Sequence, residues 1–505
     1  MSPARYLRLV LAVPLLAGTL AAQLEVASPF GDHMVLQRDQ PIALWGKAKP
    51  GETVTLALGA ATATAVADGT GKWSATLAPM PAGGPHQIAI RSGSDVVQLS
   101  DVLVGEVWLC SGQSNMEWSL KQLDETAASD GSLRLLKVPR LATGVEQESF
   151  QASWSVCDPT TAATFSAVAY HFGRELRARL DVPVGLVQSA WGGTPAESWT
   201  RRAAMAQHEV TQPIVERWDA AIAGWPEAQR AYEQALAAWE QAAKKPAEPG
   251  EKPAEKPRAP AGPHSPNCAS SLWNGMIAPL VPLSIRGVIW YQGESNATRA
   301  FQYRTLFPAM IEDWRAAFGR EFPFLFVQLA NFVPAENARQ AWAELREAQL
   351  LALRLPKTGM AVTIDIGDSA DIHPKNKVDV GKRLAAAALG LTYGLKVEPS
   401  GPLFEAATFE GGRARVTFRH AGGGIVVKGE APSGFMIAGA DQKFWPATAQ
   451  IDGAAVVVSS PEVAAPVAVR YGFECDPKCN VYNREGLPAS PFRSDDWPLV
   501  TRDAR

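Results

Sequence analysis

From residue 24 to about residue 104, apolar and polar positions alternate in short runs. Ile42-Ala43-Leu44-Trp45, Thr53-Val54-Thr55-Leu56 and His86-Gln87-Ile88-Ala89-Ile90 are separated by turn clusters such as Lys49-Pro50-Gly51 and Ala82-Gly83-Gly84. Period-two runs bounded by glycine and proline predict strands, and this spacing predicts a small β-sandwich over 23–104. The texture changes at Gly105. Apolar runs at 104–110, 182–188, 285–291, 324–329 and 360–366 now alternate with stretches such as 166–180 and 378–389, whose apolar residues recur at helical spacing. Strands alternating with helices predict an α/β domain with a mostly parallel sheet, over 105–395. After about residue 396 the short strands and glycine turns return (414–418, 454–458), which predicts a second β-rich domain over 396–505.

Two segments interrupt the α/β pattern. Residues 213–245 read as two helices, the second with Tyr232, Leu236 and Trp239 on one face. Residues 246–266 are rich in Pro, Ala, Lys and Glu and predict an exposed, extended linker without a core of its own. The first 22 residues have the layout of a secretory signal: Arg5 and Arg8, an apolar stretch from Leu9 to Ala17, then Leu20-Ala21-Ala22. That apolar run is shorter than a spanning helix needs, so cleavage and a secreted or periplasmic product are expected, with no membrane partner afterwards.

The 505 residues exceed one ordinary core and imply several domains. A formal net charge of −3 gives no electrostatic reason to expect nucleic acid as a partner. Sixteen Trp are many for this length, and flat indoles are surfaces on which sugar rings stack. Among the five Cys, Cys475 and Cys479 are close enough to close a small loop in an oxidising compartment. No second cysteine or histidine pair stands at zinc-ligand spacing, so zinc is not expected.

The chemistry gathers after the α/β strands. Ser111-Gly112-Gln113-Ser114-Asn115, Trp191-Gly192-Gly193-Thr194, Gln292-Gly293-Glu294-Ser295-Asn296 and the segment from Asp368 to His373 each follow a predicted strand. In an open parallel sheet the carboxyl ends of the strands share one edge, where ligands bind. Four loops distant in sequence should therefore meet in one crevice. There Ser114 can present its Oγ beside helix N-terminal amides that stabilise an oxyanion. Gly192 and Gly193 permit a bare N–H as a second donor, and the amide of Gln292 or Asn296 offers a third. His373 is the one histidine of seven that falls in these loops, and Asp371 can fix its tautomer. Each piece alone is ordinary turn chemistry; the constellation carries the reading.

Together these segments resemble the sialate O-acetylesterase-like branch of the SGNH/GDSL hydrolases. The blocks that carry the resemblance are Gly105-Glu106-Val107-Trp108-Leu109-Cys110-Ser111-Gly112-Gln113-Ser114-Asn115-Met116-Glu117-Trp118, the glycine block from Gly185 to Trp199, Trp290-Tyr291-Gln292-Gly293-Glu294-Ser295-Asn296, and Asp371-Ile372-His373-Pro374-Lys375-Asn376-Lys377. The resemblance implies an α/β fold: an SGNH (flavodoxin-like) three-layer α/β/α catalytic domain flanked by N- and C-terminal β-rich domains. It implies acetyl-ester hydrolysis without a cofactor, with Ser114 as nucleophile, His373 as base, and Gly193 (or Gly192) and Gln292 in the oxyanion hole. The acid stays open between Asp371, two positions before the histidine rather than the usual three, and Glu294.

The expected substrate is an acetylated carbohydrate, either a plant oligosaccharide or an O-acetyl sialic acid. The carboxylate of a sialic acid calls for a cation, and Arg201 and Arg202 lie just beyond the glycine block. The competing reading is a non-catalytic carbohydrate-binding protein whose hydrolase domain is a relic. The intact Ser114, Gly193, Gln292 and His373 set argues against it.

Overall fold

The computed structural model describes residues 24–244 and 255–504. The signal-like residues 1–22 and most of the linker's first half lie outside the described residues.

One strand organises the chain. β1 (Asp95–Gly112) is 18 residues long. Its first half pairs antiparallel with Gly83–Ser92, among the N-terminal strands, and its second half lies in the centre of the main sheet. It runs unbroken through residues 104 and 105, where the hydrophobic pattern changes. That change therefore records a switch from a sheet with one wet face to one covered on both faces, with no break in the chain.

The main sheet adds β2 (Asp130–Lys137), β3 (Ser155–Cys157), β4 (Val184–Ala190), β5 (Gly287–Tyr291), β6 (Phe324–Gln328) and β7 (Thr358–Val362), in the order β3-β2-β4-β1-β5-β6-β7. All neighbours along it are parallel except the edge pair β2–β3. β4 and β5 are buried along their whole length, as expected of parallel strands covered on both faces. Trp108 of β1 meets Phe172 of the helix Ala167–Leu180, while Trp290 and Phe324 meet Phe307 of the helix Ala300–Ala317. Gly287 is in register with Trp108, so alternation puts Trp290 on the opposite face from Trp108. Helices thus cover both faces of a mixed α/β fold flanked by β-rich regions.

The expected parallel strands are all present. β2 is an addition: its run is interrupted by Arg134, which is buried and paired with Asp101 at 2.6 Å. Residues 213–245 are not two helices. One helix, Gln212–Ala243, passes through Pro226, and Ile214 and Val215 are its buried residues. Residues 255–266 have no regular structure, yet they touch this helix. Gly262 lies so close to Trp225 that an added Cβ would come within 2.2 Å of the indole, and Lys256 reaches over Trp239.

Beyond residue 402 two four-stranded antiparallel sheets and a two-stranded one enclose a separate core around Val416, Ile437, Val458 and Tyr471. This region is fastened beside the strand ends. The buried Arg346 donates to the carbonyls of Leu329, Ala330, Glu474 and Cys475, and Asp476 accepts from Asn331 and Ser369, each at 2.7 Å. Cys475 and Cys479 do not pair; both are free. The Cys475 carbonyl is instead fixed by Arg346 and the Phe332 amide, and the thiol of the half-buried Cys479 lies beside Tyr471. No helix among the described residues is long and apolar enough to cross a membrane.

Candidate active site

Chain order reverses direction across the sheet at β1, with β2 and β4 to one side and β5 to β7 to the other. Such a switch point opens a crevice at the carboxyl ends of the strands. Ser114 stands in it, first residue of the single-turn helix Ser114–Glu117. Gly112 has a φ of +138°, and a Cβ there would lie 2.2 Å from the Tyr291 carbonyl oxygen. Only glycine lets β1 and β5 close on each other just before the serine.

His373 brings Nε2 to 2.9 Å from Ser114 Oγ. The imidazole stacks on Trp118, with ring centroids 4.8 Å apart and planes 14° from parallel. Asp371 Oδ1 lies 3.5 Å from Nδ1 and accepts the backbone N–H of His373 at 2.9 Å. The carboxylate thus closes an Asx turn that carries the ring, which makes the two-residue spacing workable. The following helix, Lys377–Ala387, is capped by Asn376, so Asp371 has no capping duty. Burial holds the His373 pKa below the ordinary histidine value; Asp371 opposes that and Lys377 adds to it. The imidazole is therefore neutral at pH 7 and able to accept a proton.

The two glycines have different roles. Gly192 gives its N–H to Glu117 Oε2 at 2.8 Å, and Arg140 donates to the other oxygen of that carboxylate at 2.7 Å. Gly192 also lies against Ser114, where an added Cβ would be 3.2 Å from the serine Cβ. Gly193, at φ +75°, is exposed, and its N–H has no hydrogen-bond partner among the described residues. Of the pair, Gly193 has the amide free to meet a ligand.

Gln292 differs from the expectation. It is fully buried, and its Nε2 donates to Asn296 Oδ1 at 2.7 Å and to the Thr194 carbonyl at 3.3 Å. Its Oε1 accepts from the Tyr303 hydroxyl at 3.0 Å. Both amide hydrogens are committed, so Gln292 braces the glycine loop from behind. Asn296 is buried in the same network, donating to Glu197. We expect Gln292→Ala to strand the Tyr303 hydroxyl and the Thr194 carbonyl, and to lower stability by about 2–4 kcal/mol. Thermal melting measures this, with kcat changed less than about tenfold. A kcat loss of ~10²–10³ at unchanged melting temperature would instead return Gln292 to the oxyanion hole.

Glu294 lies behind Asn115, which donates to its Oε1 at 2.6 Å. The second carboxylate oxygen is buried without a hydrogen-bond partner among the described residues, and burial raises the pKa of the group. No hydrogen bond or ion pair joins Glu294 to His373 among the described residues.

Sequence reasoning gave no roles to Asn115, Glu117, Trp118 and Lys377, although all lie within the motif blocks. Their signal was position: polar or aromatic residues one to four places from Ser114 or His373. The arginines beyond the glycine block are engaged elsewhere. Arg201 pairs with Asp313 at 2.8 Å, and Arg202 pairs with Asp219. Arg201 also lines a cavity of about 860 Å³ against the N-terminal strands, which contains none of the four loops' reacting groups. Beside the glycine loop, a smaller cleft of about 390 Å³ is lined by Glu117, Lys137 and Arg140, and Arg140 lies over the half-buried Trp191. Eight of the Trp, by contrast, are core residues: Trp73, Trp108, Trp154, Trp199, Trp273, Trp290, Trp314 and Trp342.

Fold and site are those of a carboxylic ester hydrolase. Residues 104–247 and 270–390 match the family model of carbohydrate esterases described as sialic acid-specific acetylesterases. The sialate O-acetylesterase of Mus musculus is 33% identical over 417 residues, covering 73% of this chain and 74% of the relative. The Homo sapiens enzyme is 32% identical over 427 residues, covering 75% and 73%. Among solved structures, a carbohydrate acetylesterase from Xanthomonas citri superposes with a TM-score of 0.79 at 41% identity, over 94% of this chain and 100% of that one. The chain belongs to the sialic acid-specific acetylesterase family of carbohydrate esterases.

Proposed function

We propose that this protein removes O-acetyl groups from carbohydrates through an acetyl-enzyme on Ser114, within an SGNH-type three-layer catalytic domain, after export from the cytoplasm. The observation that carries the reading is the 2.9 Å contact between His373 Nε2 and Ser114 Oγ at the switch point of the sheet. Ser114 Oγ attacks the acetyl carbonyl as His373 Nε2 takes its proton, and Asp371 stabilises the imidazolium that forms. The oxyanion is met by the free N–H of Gly193 and the N-terminal amide of Ser114. His373 then protonates the departing sugar oxygen. Water, deprotonated by the same nitrogen, attacks the acetyl-serine, and His373 returns that proton to Ser114 Oγ as acetate leaves.

Trp118 and Trp191 flank the crevice as apolar walls, and Arg140, paired with Glu117, supplies its half-exposed cation. Acetate release from a panel of acetylated xylan and xyloglucan fragments and O-acetyl sialates tests the substrate class. Release from at least one of these, lost in Ser114→Ala, is expected. Turnover of small aryl acetates with none from any carbohydrate would contradict it.

A further inference from the structure

Behind the nucleophile lies a buried polar cluster that the reaction, as described, does not use. Asn115 follows Ser114 directly, is 1% exposed, and touches three loops at once. Its Nδ2 donates to Glu294 Oε1 at 2.6 Å and to the Ile372 carbonyl at 3.0 Å, the residue before His373. Its Oδ1 accepts from Lys377 Nζ at 2.5 Å. Lys377 is fully buried, and its ammonium sits 5.8 Å from the centre of the Trp118 ring and 5.5 Å from that of Tyr291. Trp118 is the ring on which His373 stacks. The lysine and the imidazole thus meet the same indole, within one Asn-bridged cluster.

A fully buried lysine is costly, and no solvent-facing role accounts for this one. The charged groups that face it are Glu294, from the loop after β5, and Asp371, from its own loop. Those that face His373 are Asp371 and Lys377. We propose that Lys377 is a positioning and tuning residue of this hydrolase. Through Asn115 it holds the His373 loop in register with Ser114, and its charge keeps the imidazole in the form that accepts a proton.

The sign follows from the groups involved. Burial pushes the Lys377 pKa down to about 7, so the side chain is charged across the acidic range in which His373 titrates. A positive charge there disfavours imidazolium, and therefore extends the active, neutral form of His373 to lower pH. Glu294 is its buried counter-group, held by the same amide rather than by the histidine.

The inference rests on His373 acting as base, and the test separates the two. Lys377→Met keeps the aliphatic stem. On p-nitrophenyl acetate it should move the acid limb of the kcat/KM profile upward by roughly one pH unit, with kcat at the plateau reduced about tenfold. Glu294→Gln retains the acceptor for Asn115 and should leave the acid limb in place or move it downward. A merely structural lysine would change stability and amplitude but not move the acid limb upward. Should Lys377→Met not fold, Lys377→Gln, which removes the charge but can still donate to Asn115, replaces it with the same expected shift of the acid limb. An acid limb unmoved in the folded neutral variant would overturn the inference. Activity retained in His373→Ala would instead overturn the underlying mechanism.

Discussion

Ser114→Ala is expected to lower hydrolysis of p-nitrophenyl acetate by several orders of magnitude with no change in melting temperature. The hydroxyl's hydrogen bond runs to His373 Nε2, and the side chain is only half-buried at the start of a single turn. Its loss leaves no cavity in the core. It does remove the atom that must bond to the acetyl carbon. Loss of a nucleophile in a triad that acts as a unit typically costs on the order of 10⁶ in kcat, with a residual ~10³–10⁴ over water from the oxyanion hole and binding. Ser111, three residues earlier, is the internal control. It is fully buried with a hydroxyl that has no hydrogen-bond partner among the described residues, so Ser111→Ala should be neutral or slightly stabilising and keep near-wild-type turnover. A Ser114→Ala enzyme with more than about a tenth of wild-type activity would remove the serine from the mechanism.

Asp371→Asn carries the second large effect. Asp371 faces His373 Nδ1 at 3.5 Å while holding the same residue's backbone N–H at 2.9 Å. Asparagine preserves the size and, with its oxygen, one of these contacts. It removes the charge that stabilises imidazolium and lets the imidazole adopt the wrong tautomer. The corresponding change in a buried triad costs about 10⁴ in kcat. Here the carboxylate side chain is 43% exposed and its contact to the ring is longer, so a loss of roughly 10²–10⁴ is expected. Glu294→Gln should lose less than about tenfold, because its neighbour is Asn115 and the carboxamide still accepts from it. Side-by-side kcat values on one ester decide the matter. The reverse ranking would transfer the acid's role to Glu294.

The convergence of four loops was legible in the sequence. Parallel topology alone brings Ser114, Gly193, Gln292 and His373 to one edge, because runs such as 285–291 are too uniformly apolar for a sheet with a wet face. Five features were not legible, each for a physical reason. Strand pairing through residues 104 and 105 is invisible to a pattern that reads burial, since burial changes there and the backbone does not. Arg134 disguises a buried strand, because its ion pair with Asp101 comes from 33 residues away. Gln292 has the right chemistry for an oxyanion donor, but whether an amide hydrogen is free depends on partners such as Thr194 and Asn296 that only the fold supplies. The choice between Gly192 and Gly193 turned on the same kind of fact, the Glu117 carboxylate that occupies one N–H. The Lys377 cluster shows the same limit: a lysine four residues after a histidine reads as a surface residue until the fold buries it.

The central claim is that Ser114, activated by His373, forms a covalent acyl-enzyme. Intact-mass and peptide-level mass spectrometry after brief exposure to a fluorophosphonate tests it most directly. The account predicts one adduct per chain, on the peptide containing Ser114, with loss of activity in proportion to labelling. It also predicts markedly slower labelling in His373→Ala. An adduct on any other residue, or full acetylesterase activity in stoichiometrically labelled protein, would contradict it.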